Sequence, residues 1–365
     1  MEALSKLSRF QVGALSTTVL WSLYGLGLLQ PVFNLIPLLV AVPTIFCLSE
    51  IIRRLVENSL GKRSVPCNGE YVLITGCGSG FGFALTKCLV DKGYHVFAGC
   101  HSPDCGGAKE LELYSKRVEV IGMDVGSDES MKSAREHVEK KLGNMGQLWA
   151  IVANAGVANQ GPLEWTTMSE IEHIFKVNTF GVLRTVKEFL PFVRRARGRV
   201  VVTNSLLSTI ANPFVIPYSM SKAASKALVE GLQRELCDFG IYCSSIEPSY
   251  YETAMTRHRT AEDYRKKYDL IDETMREDYE GYVELCSEYF DSVSSVITST
   301  KVEEPIDALA HAVCSVRPLP YYFVDSPCVS FLREIERHVN IEVTDAAVKC
   351  TKYLAALKKR FTSTK

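Results

Sequence analysis

The sequence predicts an α/β fold, a doubly wound parallel sheet preceded by an N-terminal membrane segment. Three observations predict it. Short apolar, strand-like runs alternate with helical patterns from Tyr71 to Pro248, as in a parallel sheet covered by helices. A glycine-rich turn at 75–82 separates the first such run from the first helical pattern. Ahead of both, residues 10–49 contain no Asp, Glu, Lys or Arg.

The length of 365 residues suits one large α/β domain with appendages. The expected division is an anchor and linker at 1–63, the main domain at 64–320 and a helical tail at 321–365. A formal net charge of -1, with 23% charged residues, gives no footprint for nucleic acid. The 12 cysteines are scattered and form no CxxC pair. Cys100, His101 and Cys105 complete no metal-ligand spacing, so no metal is expected. Scattered thiols fit a domain facing a reducing compartment.

As helix, the charge-free stretch measures about 60 Å, two crossings of a roughly 30 Å hydrocarbon core. Pro31, Pro37 and Pro43 interrupt its second half, and Gln30-Pro31 marks a turn. Lys6 and Arg9 precede it; Arg53, Arg54, Lys62 and Arg63 follow. Positive flanks at both ends predict a hairpin with both ends cytosolic. A single tilted crossing is the main alternative, and a buried soluble core is the bland one. The stretch is too long for the apolar region of a signal peptide. Glu2 and the same length argue against a mitochondrial presequence.

Residues 64–70 form a linker, and 71–75 (YVLIT) a short strand. The turn TGCGSGFG follows, from Thr75 through Gly76, Ser79, Gly80 and Phe81 to Gly82. Its glycines let the backbone turn tightly and approach a pyrophosphate, whose charge the next helix N-terminus favours. The second strand, 95–99, ends at Cys100-His101, where an acidic residue for the ribose of NAD is expected. No Arg or Lys stands there or within 76–82 to meet a 2′-phosphate, which favours NAD over NADP. The third strand, 118–123, ends at Asp124. That carboxylate either reaches an adenine amino group or simply starts a helix.

The fourth strand, 148–153 (LWAIVA), runs into Asn154-Ala155-Gly156. A helix over 170–190 contains Asn178, a mildly unfavourable residue in a helix interior. Val200, Val201 and Val202 form the fifth strand, followed by Ser205, a loop broken by Pro213 and Pro217, and a helix carrying Tyr218 and Lys222. Residues four apart share a helix face. An ammonium beside a phenol is expected to lower the tyrosine pKa from about 10. Such a tyrosine exchanges a proton with an alcohol or carbonyl near neutral pH, and Ser205 is placed to hold the same oxygen. The sixth strand, 241–247, closes at Pro248. Ligands of such sheets sit outside the carboxyl ends of the strands, where Gly76, Asn154, Ser205 and Pro248 all fall.

Together these residues resemble the short-chain dehydrogenase/reductase family, a Rossmann-type fold. Residues 75–82 match its TGxxxGxG loop, 154–156 its NAG motif, and Asn178, Ser205, Tyr218 and Lys222 its catalytic tetrad in order. The resemblance covers 70–253 closely and runs more loosely to about residue 320. TGCGSGFG, VFAGC, FLPFVRRARGRVV and EDYEGY are similar to the branch containing D-3-hydroxybutyrate dehydrogenase, retinol dehydrogenases and the type 2 17β- and 11β-hydroxysteroid dehydrogenases. Its members are mostly NAD-linked, and many are membrane-bound. The resemblance implies that Tyr218 donates or accepts the proton, Lys222 lowers its pKa and binds the nicotinamide ribose, and Ser205 polarises the substrate oxygen. It implies a water relay for Asn178, and cofactor contacts for Thr75, Gly76, Ser79, Gly80, Phe81, Gly82, Asp124, Asn154, Ala155, Gly156, Pro248 and Thr253. Three positions depart from the branch: Gly78 stands where Asp is usual, Ser249 where Gly is usual, and NSLLS replaces NVSS, leaving Ser208 as an alternative to Ser205.

By the same resemblance, residues 255–300 cover the substrate. Tyr264, Tyr268, Tyr279, Tyr282 and Tyr289 there either line a pocket or, more commonly for such stripes, pack. The basic end at 353–365 either touches an anionic membrane surface or is a solvated helix end. The expectation is an NAD-dependent oxidoreductase acting on a small lipophilic alcohol or ketone of steroid or retinoid type. It is expected in the endoplasmic reticulum membrane with its main domain cytosolic, with mitochondria second; a homo-oligomer also fits. A 3-hydroxybutyrate dehydrogenase is the alternative within the class, and a catalytically weak membrane-bound binding protein the alternative outside it.

Overall fold

The computed structural model describes residues 64–325, apart from 144, 145, 254 and 256–260, together with Val329 and Arg333. The membrane segment expected within 1–63 and the basic tail at 353–365 lie outside these residues. Among the described residues, no helix is long and apolar enough to cross a membrane.

The strands are β1 (Tyr71–Thr75), β2 (His95–Cys100), β3 (Val118–Gly122), β4 (Leu148–Ala153), β5 (Arg199–Thr203), β6 (Tyr242–Pro248) and β7 (Tyr321–Val324). They form one sheet in the order β3-β2-β1-β4-β5-β6-β7, with every neighbouring pair parallel. The helices are α1 (Gly80–Asp91), α2 (Gly106–Tyr114), α3 (Asp128–Leu142), α4 (Met168–Phe175), α5 (Val182–Ala196), α6 (Ile216–Leu236), α7 (Ala261–Tyr268), α8 (Glu273–Asp278), α9 (Tyr282–Ile297) and α10 (Glu303–Cys314).

Successive strand residues point to opposite faces. Leu73, Phe97, Val200 and Val202 meet α3, α5 and α6 on one side. Val72, Ile74, Ala98 and Val201 meet α1, α2 and α10 on the other. Both faces are buried, so the strands read as continuous apolar runs rather than alternating ones. Each fully buried Leu, Ile or Phe stabilises this core by roughly 1.5–3 kcal/mol.

Two elements differ from the sequence expectation. The segment expected as a helical tail begins as strand: Tyr321–Val324 pairs with β6 from Ser245↔Tyr321 to Pro248↔Val324. Its aromatic and β-branched composition suits a half-covered strand beside the open edge of β6. The helix expected over 170–190 is α4, then a π-helical stretch at Lys176–Gly181, then α5.

Helices α7 to α9 close over one end of the site. Trp165, Phe214, Tyr264, Val283 and Phe290 form their separate apolar cluster. Here the tyrosines pack and fasten. Tyr264 Oη donates to Gln160 Oε1 at 3.0 Å, Tyr279 Oη to Glu164 Oε2 at 2.6 Å and Tyr268 Oη to the Arg276 carbonyl at 2.8 Å.

Candidate active site

Strand order turns back between β1 and β4, so the chains leaving these strands diverge and open a crevice at their carboxyl ends. Close packing behind the crevice explains two glycines. Gly76 has φ +73°, and a Cβ there would lie 2.8 Å from Ala155 Cα. A Cβ on Gly82 would lie 2.5 Å from the Gly76 carbonyl oxygen. Asn154 ties the strand ends together: its amide nitrogen donates to Thr75 Oγ1 at 3.0 Å, Nδ2 to the Thr75 carbonyl at 3.0 Å, and Oδ1 accepts from Thr203 Oγ1 at 3.2 Å.

The crevice is a cleft of about 680 Å³. Gly76, Ser79, Gly80 and Phe81 line it from the glycine-rich loop, Asp124 from the end of β3, and Asn154, Ala155 and Gly156 from the end of β4. Ser205, Tyr218, Lys222, Pro248 and Thr253 line the remainder. Thr75, Gly82 and Asn178 stand behind the lining and support it. Asp124 lines the cleft, and its Oδ1 accepts from the Gly126 amide at 2.8 Å; it does not start the next helix, which is capped by Ser127 accepting from the Ser130 amide.

The cleft fits a dinucleotide. Helix α1 begins at Gly80, φ +63°, where an added Cβ would meet nothing within 4 Å. Its N-cap, Ser79, makes no side-chain capping bond. The first-turn N–H groups therefore remain available to a pyrophosphate. At the end of β2 the lining residues are His101, Ser102 and Cys105, with no Lys or Arg among them.

The reactive groups lie at the other end. Lys222 is 3% exposed, and its Nζ donates to the Thr203 carbonyl at 2.7 Å. Burial lowers its pKa to about 8. The ammonium lies 5.9 Å from the centroid of the Tyr218 ring. Burial pushes the Tyr218 phenol up to about 12, while its hydrogen bond with Ser205 pulls the other way. The expected lowering by Lys222 is thus corrected for the protein by itself: desolvation of the phenol outweighs a lysine whose proton is directed at a carbonyl.

Ser205 Oγ also accepts from the Leu207 amide at 3.2 Å. The Ser208 hydroxyl turns away and donates to the Ser205 carbonyl at 2.6 Å. The geometry therefore brings Ser205, and not Ser208, to the phenol. Asn178 is fully buried in the π-helical stretch. Its Oδ1 accepts from the Val157 amide at 2.8 Å, and Nδ2 donates to the Val157 carbonyl at 2.8 Å and Ser221 Oγ at 3.0 Å. It fixes the chain leaving β4 against the residue next to Lys222.

Sequence reasoning missed several lining residues, among them Val125, His173, Tyr251 and Met255. Tyr251 is 1% exposed, packs its ring edge-on to Phe81 at 6.3 Å and donates to Glu304 Oε2 at 2.8 Å. The doublet Tyr250-Tyr251 directly after Pro248-Ser249 was the available signal. A smaller cavity of about 80 Å³ adjoins Ser205 and Tyr218 and is lined by Leu207, Val215, Tyr250 and Phe290. No Lys, Arg, His, Asp or Glu belongs to its described lining.

Residues 70–264 match the family model described as short chain dehydrogenase. The mouse protein "D-beta-hydroxybutyrate dehydrogenase, mitochondrial" is 36% identical over 268 residues, covering 70% of this chain and 76% of the relative. Human 17-beta-hydroxysteroid dehydrogenase type 6 is 34% identical over 262 residues, 69% of this chain and 80% of the relative. A solved short chain dehydrogenase/reductase from Burkholderia phymatum, in complex with NAD, superposes with a TM-score of 0.60 at 20% identity, covering 77% of this chain and 96% of that one. At that identity the likeness is one of fold and carries nothing about cofactor choice.

Proposed function

The chain belongs to the short-chain dehydrogenase family, and from that membership we propose an NAD-dependent enzyme that interconverts a hydroxyl and a carbonyl on a lipophilic substrate of steroid or retinoid type. The observation that carries the chemistry is the meeting of Ser205, Tyr218 and Lys222 at one end of the cleft. The observation that supports a lipophilic substrate is the charge-free, mostly apolar lining next to Ser205 and Tyr218, where Leu207, Val215, Met255 and Phe290 outweigh Gln160 and Ser249.

Ser79, Gly80 and the first turn of α1 hold the pyrophosphate, Asp124 the adenine end, and Asn154 to Gly156 and Lys222 the nicotinamide half. The dinucleotide, when bound, supplies the hydride acceptor or donor. Tyr218 Oη gives or takes the proton of the substrate oxygen. Ser205 Oγ, hydrogen-bonded to that phenol, holds the same oxygen. Lys222 is aimed by the Thr203 carbonyl, and its remaining N–H groups reach a ribose hydroxyl or water. Asn178 keeps the Gly156-Val157 wall in place. Absence of a cation at His101-Ser102 supports NAD over NADP.

Drug-sized ligands occupy roughly 300–1,000 Å³. The 80 Å³ cavity is smaller and shares Ser205, Tyr218, Ser249 and Met255 with the main cleft, so a steroid or retinoid would extend from it into that cleft. The charge-free stretch at 10–49 supports membrane anchorage, with the endoplasmic reticulum first and mitochondria second. A second reading, D-3-hydroxybutyrate, is favoured by the 36% identical mitochondrial relative. It needs a cation for the substrate carboxylate, and the described lining of the small cavity supplies none.

Turnover of the purified protein with NAD and NADP across retinol, 17β- and 11β-hydroxysteroids and D-3-hydroxybutyrate tests the proposal. The expected result is hydroxysteroid or retinol oxidation with NAD as the better cofactor. Turnover of hydroxybutyrate alone establishes the second reading, a kcat/KM with NADP equal to or above that with NAD overturns the cofactor choice, and no turnover at all leaves a binding protein.

A further inference from the structure

We propose that Glu247, outside the cleft, is a positioning residue that holds the Ser205 turn from both sides. The inference rests on the reading of Ser205 as the group that holds the substrate oxygen.

Glu247 lies near the end of β6 and is 1% exposed. A buried carboxylate is unfavourable unless its charge and lone pairs are met. Lys226 Nζ donates to it at 3.2 Å and to Thr209 Oγ1 at 2.7 Å, and Thr209 Oγ1 donates in turn to Glu247 Oε2 at 3.3 Å. The other oxygen, Oε1, accepts from Ser245 Oγ at 3.0 Å.

The carboxylate sets the direction of the hydrogen bonds leading away from it. Paired with Lys226 it accepts only, so Ser245 must direct its one hydroxyl proton at Glu247. Ser245 Oγ is left as an acceptor, and Asn204 must turn its amino group toward it, Nδ2 to Oγ at 2.8 Å. The polarity runs from Asn204 through Ser245 to Glu247, and one amide orientation of Asn204 is selected. Asn204 is the residue before Ser205. Thr209 is the residue that closes the 3-10 turn after it, its amide donating to the Leu206 carbonyl at 3.0 Å. Both ends of the turn that presents Ser205 are thus tied to one buried carboxylate. Ser205 lines the cleft, whereas Glu247, Ser245 and Lys226 do not.

Glu247→Gln preserves shape and reverses part of this polarity, because its one amino group must face either the donor of Ser245 or, with the amide turned over, the donors of Thr209 and Lys226. The expected result is a kcat lower by about tenfold or more, as for a small misplacement of a reacting group. The Kd for NAD, read by fluorescence titration, stays within about twofold of wild type. The deciding measurement is a double-mutant cycle. On the Ser205→Ala background, Glu247→Gln changes the residual kcat by less than about twofold, because the group it positions is gone. Equal losses on both backgrounds identify a general structural role and overturn the inference. An unchanged kcat for Glu247→Gln, with Ser205→Ala strongly impaired, overturns it also. Full turnover by Ser205→Ala overturns the underlying reading of Ser205 instead. If Glu247→Gln does not fold, Ser245→Ala and Thr209→Val cut the two arms separately and are put through the same cycle.

Discussion

Lys222 directs its ammonium at the Thr203 carbonyl, 2.7 Å away, and no charged partner contributes to its pKa. Burial alone moves that pKa from 10.5 to about 8. The folded chain therefore loses the proton near pH 8, while the unfolded chain keeps it to about 10.5. Between these values the unfolded state binds more protons, so stability rises with pH, and below pH 8 the full burden of the buried charge is felt. Lys222→Met is expected to melt higher than wild type at pH 7, with an advantage that shrinks by pH 10, and to lose turnover. Thermal denaturation at the two pH values checks this. A difference of equal size at both would show that the lysine charge is not the cause.

Tyr218→Phe removes the proton-transfer hydroxyl and keeps the ring. Turnover is expected to fall by roughly 10²-fold or more, with NAD affinity nearly intact. Steady-state kinetics beside a fluorescence titration of NAD separates the two effects. A variant that keeps more than about a tenth of the wild-type rate would remove Tyr218 from the role assigned to it.

Gly76→Ala tests the crevice itself. A methyl group there meets Ala155 Cα at 2.8 Å on a backbone with φ +73°, so the β1 and β4 ends must separate. Loss of NAD binding and a lower melting temperature are expected together. Wild-type NAD affinity in the variant would mean that the strand ends are not held as tightly as these distances require.

Membrane attachment is expected to reside in the first 60 residues. Full-length protein should resist alkaline carbonate extraction, and a chain lacking 1–60 should not sediment with membranes. Protease added to sealed microsomes should reach the main domain. Release of the full-length chain by carbonate, or protection of the main domain until detergent is added, would overturn the anchor or its orientation respectively.

The strands β1 to β6 were legible as apolar runs because a sheet buried on both faces leaves no polar alternation to confuse them. Gly76, Asn154 and Ser205 could be placed at strand ends, and Tyr218 and Lys222 on one helix face, from spacing; their roles came only from the resemblance to the family. Strand β7 was not: Tyr321–Val324 is four residues long and owes its conformation to the free edge of β6, which no local pattern reveals. The direction of the Tyr218 shift was also hidden. It depends on how much water Leu207, Val215 and the α7–α9 cover exclude, a property of residues up to about seventy positions away. The bonds from Asn204 to Ser245 and Glu247 cross from β5 to β6 and have no signature within either segment.

The stretch Lys176–Gly181 runs with a longer turn than the α-helices before and after it. It works as a place to house one extra residue between two rigid rods. α4 is clocked by its capping box at Thr167 and Glu170, α5 by Val186, Phe189 and Val193 in the core. Deleting one residue between them would restore uninterrupted α-helical winding and leave the two rods in nearly the same angular register, because the wide turn already absorbs the extra residue. The wide turn that carries Asn178 to Val157 would be lost. A chain one residue shorter here would have a better helix and a misaligned wall behind Lys222, which makes the number of residues in this stretch as constrained as their identity.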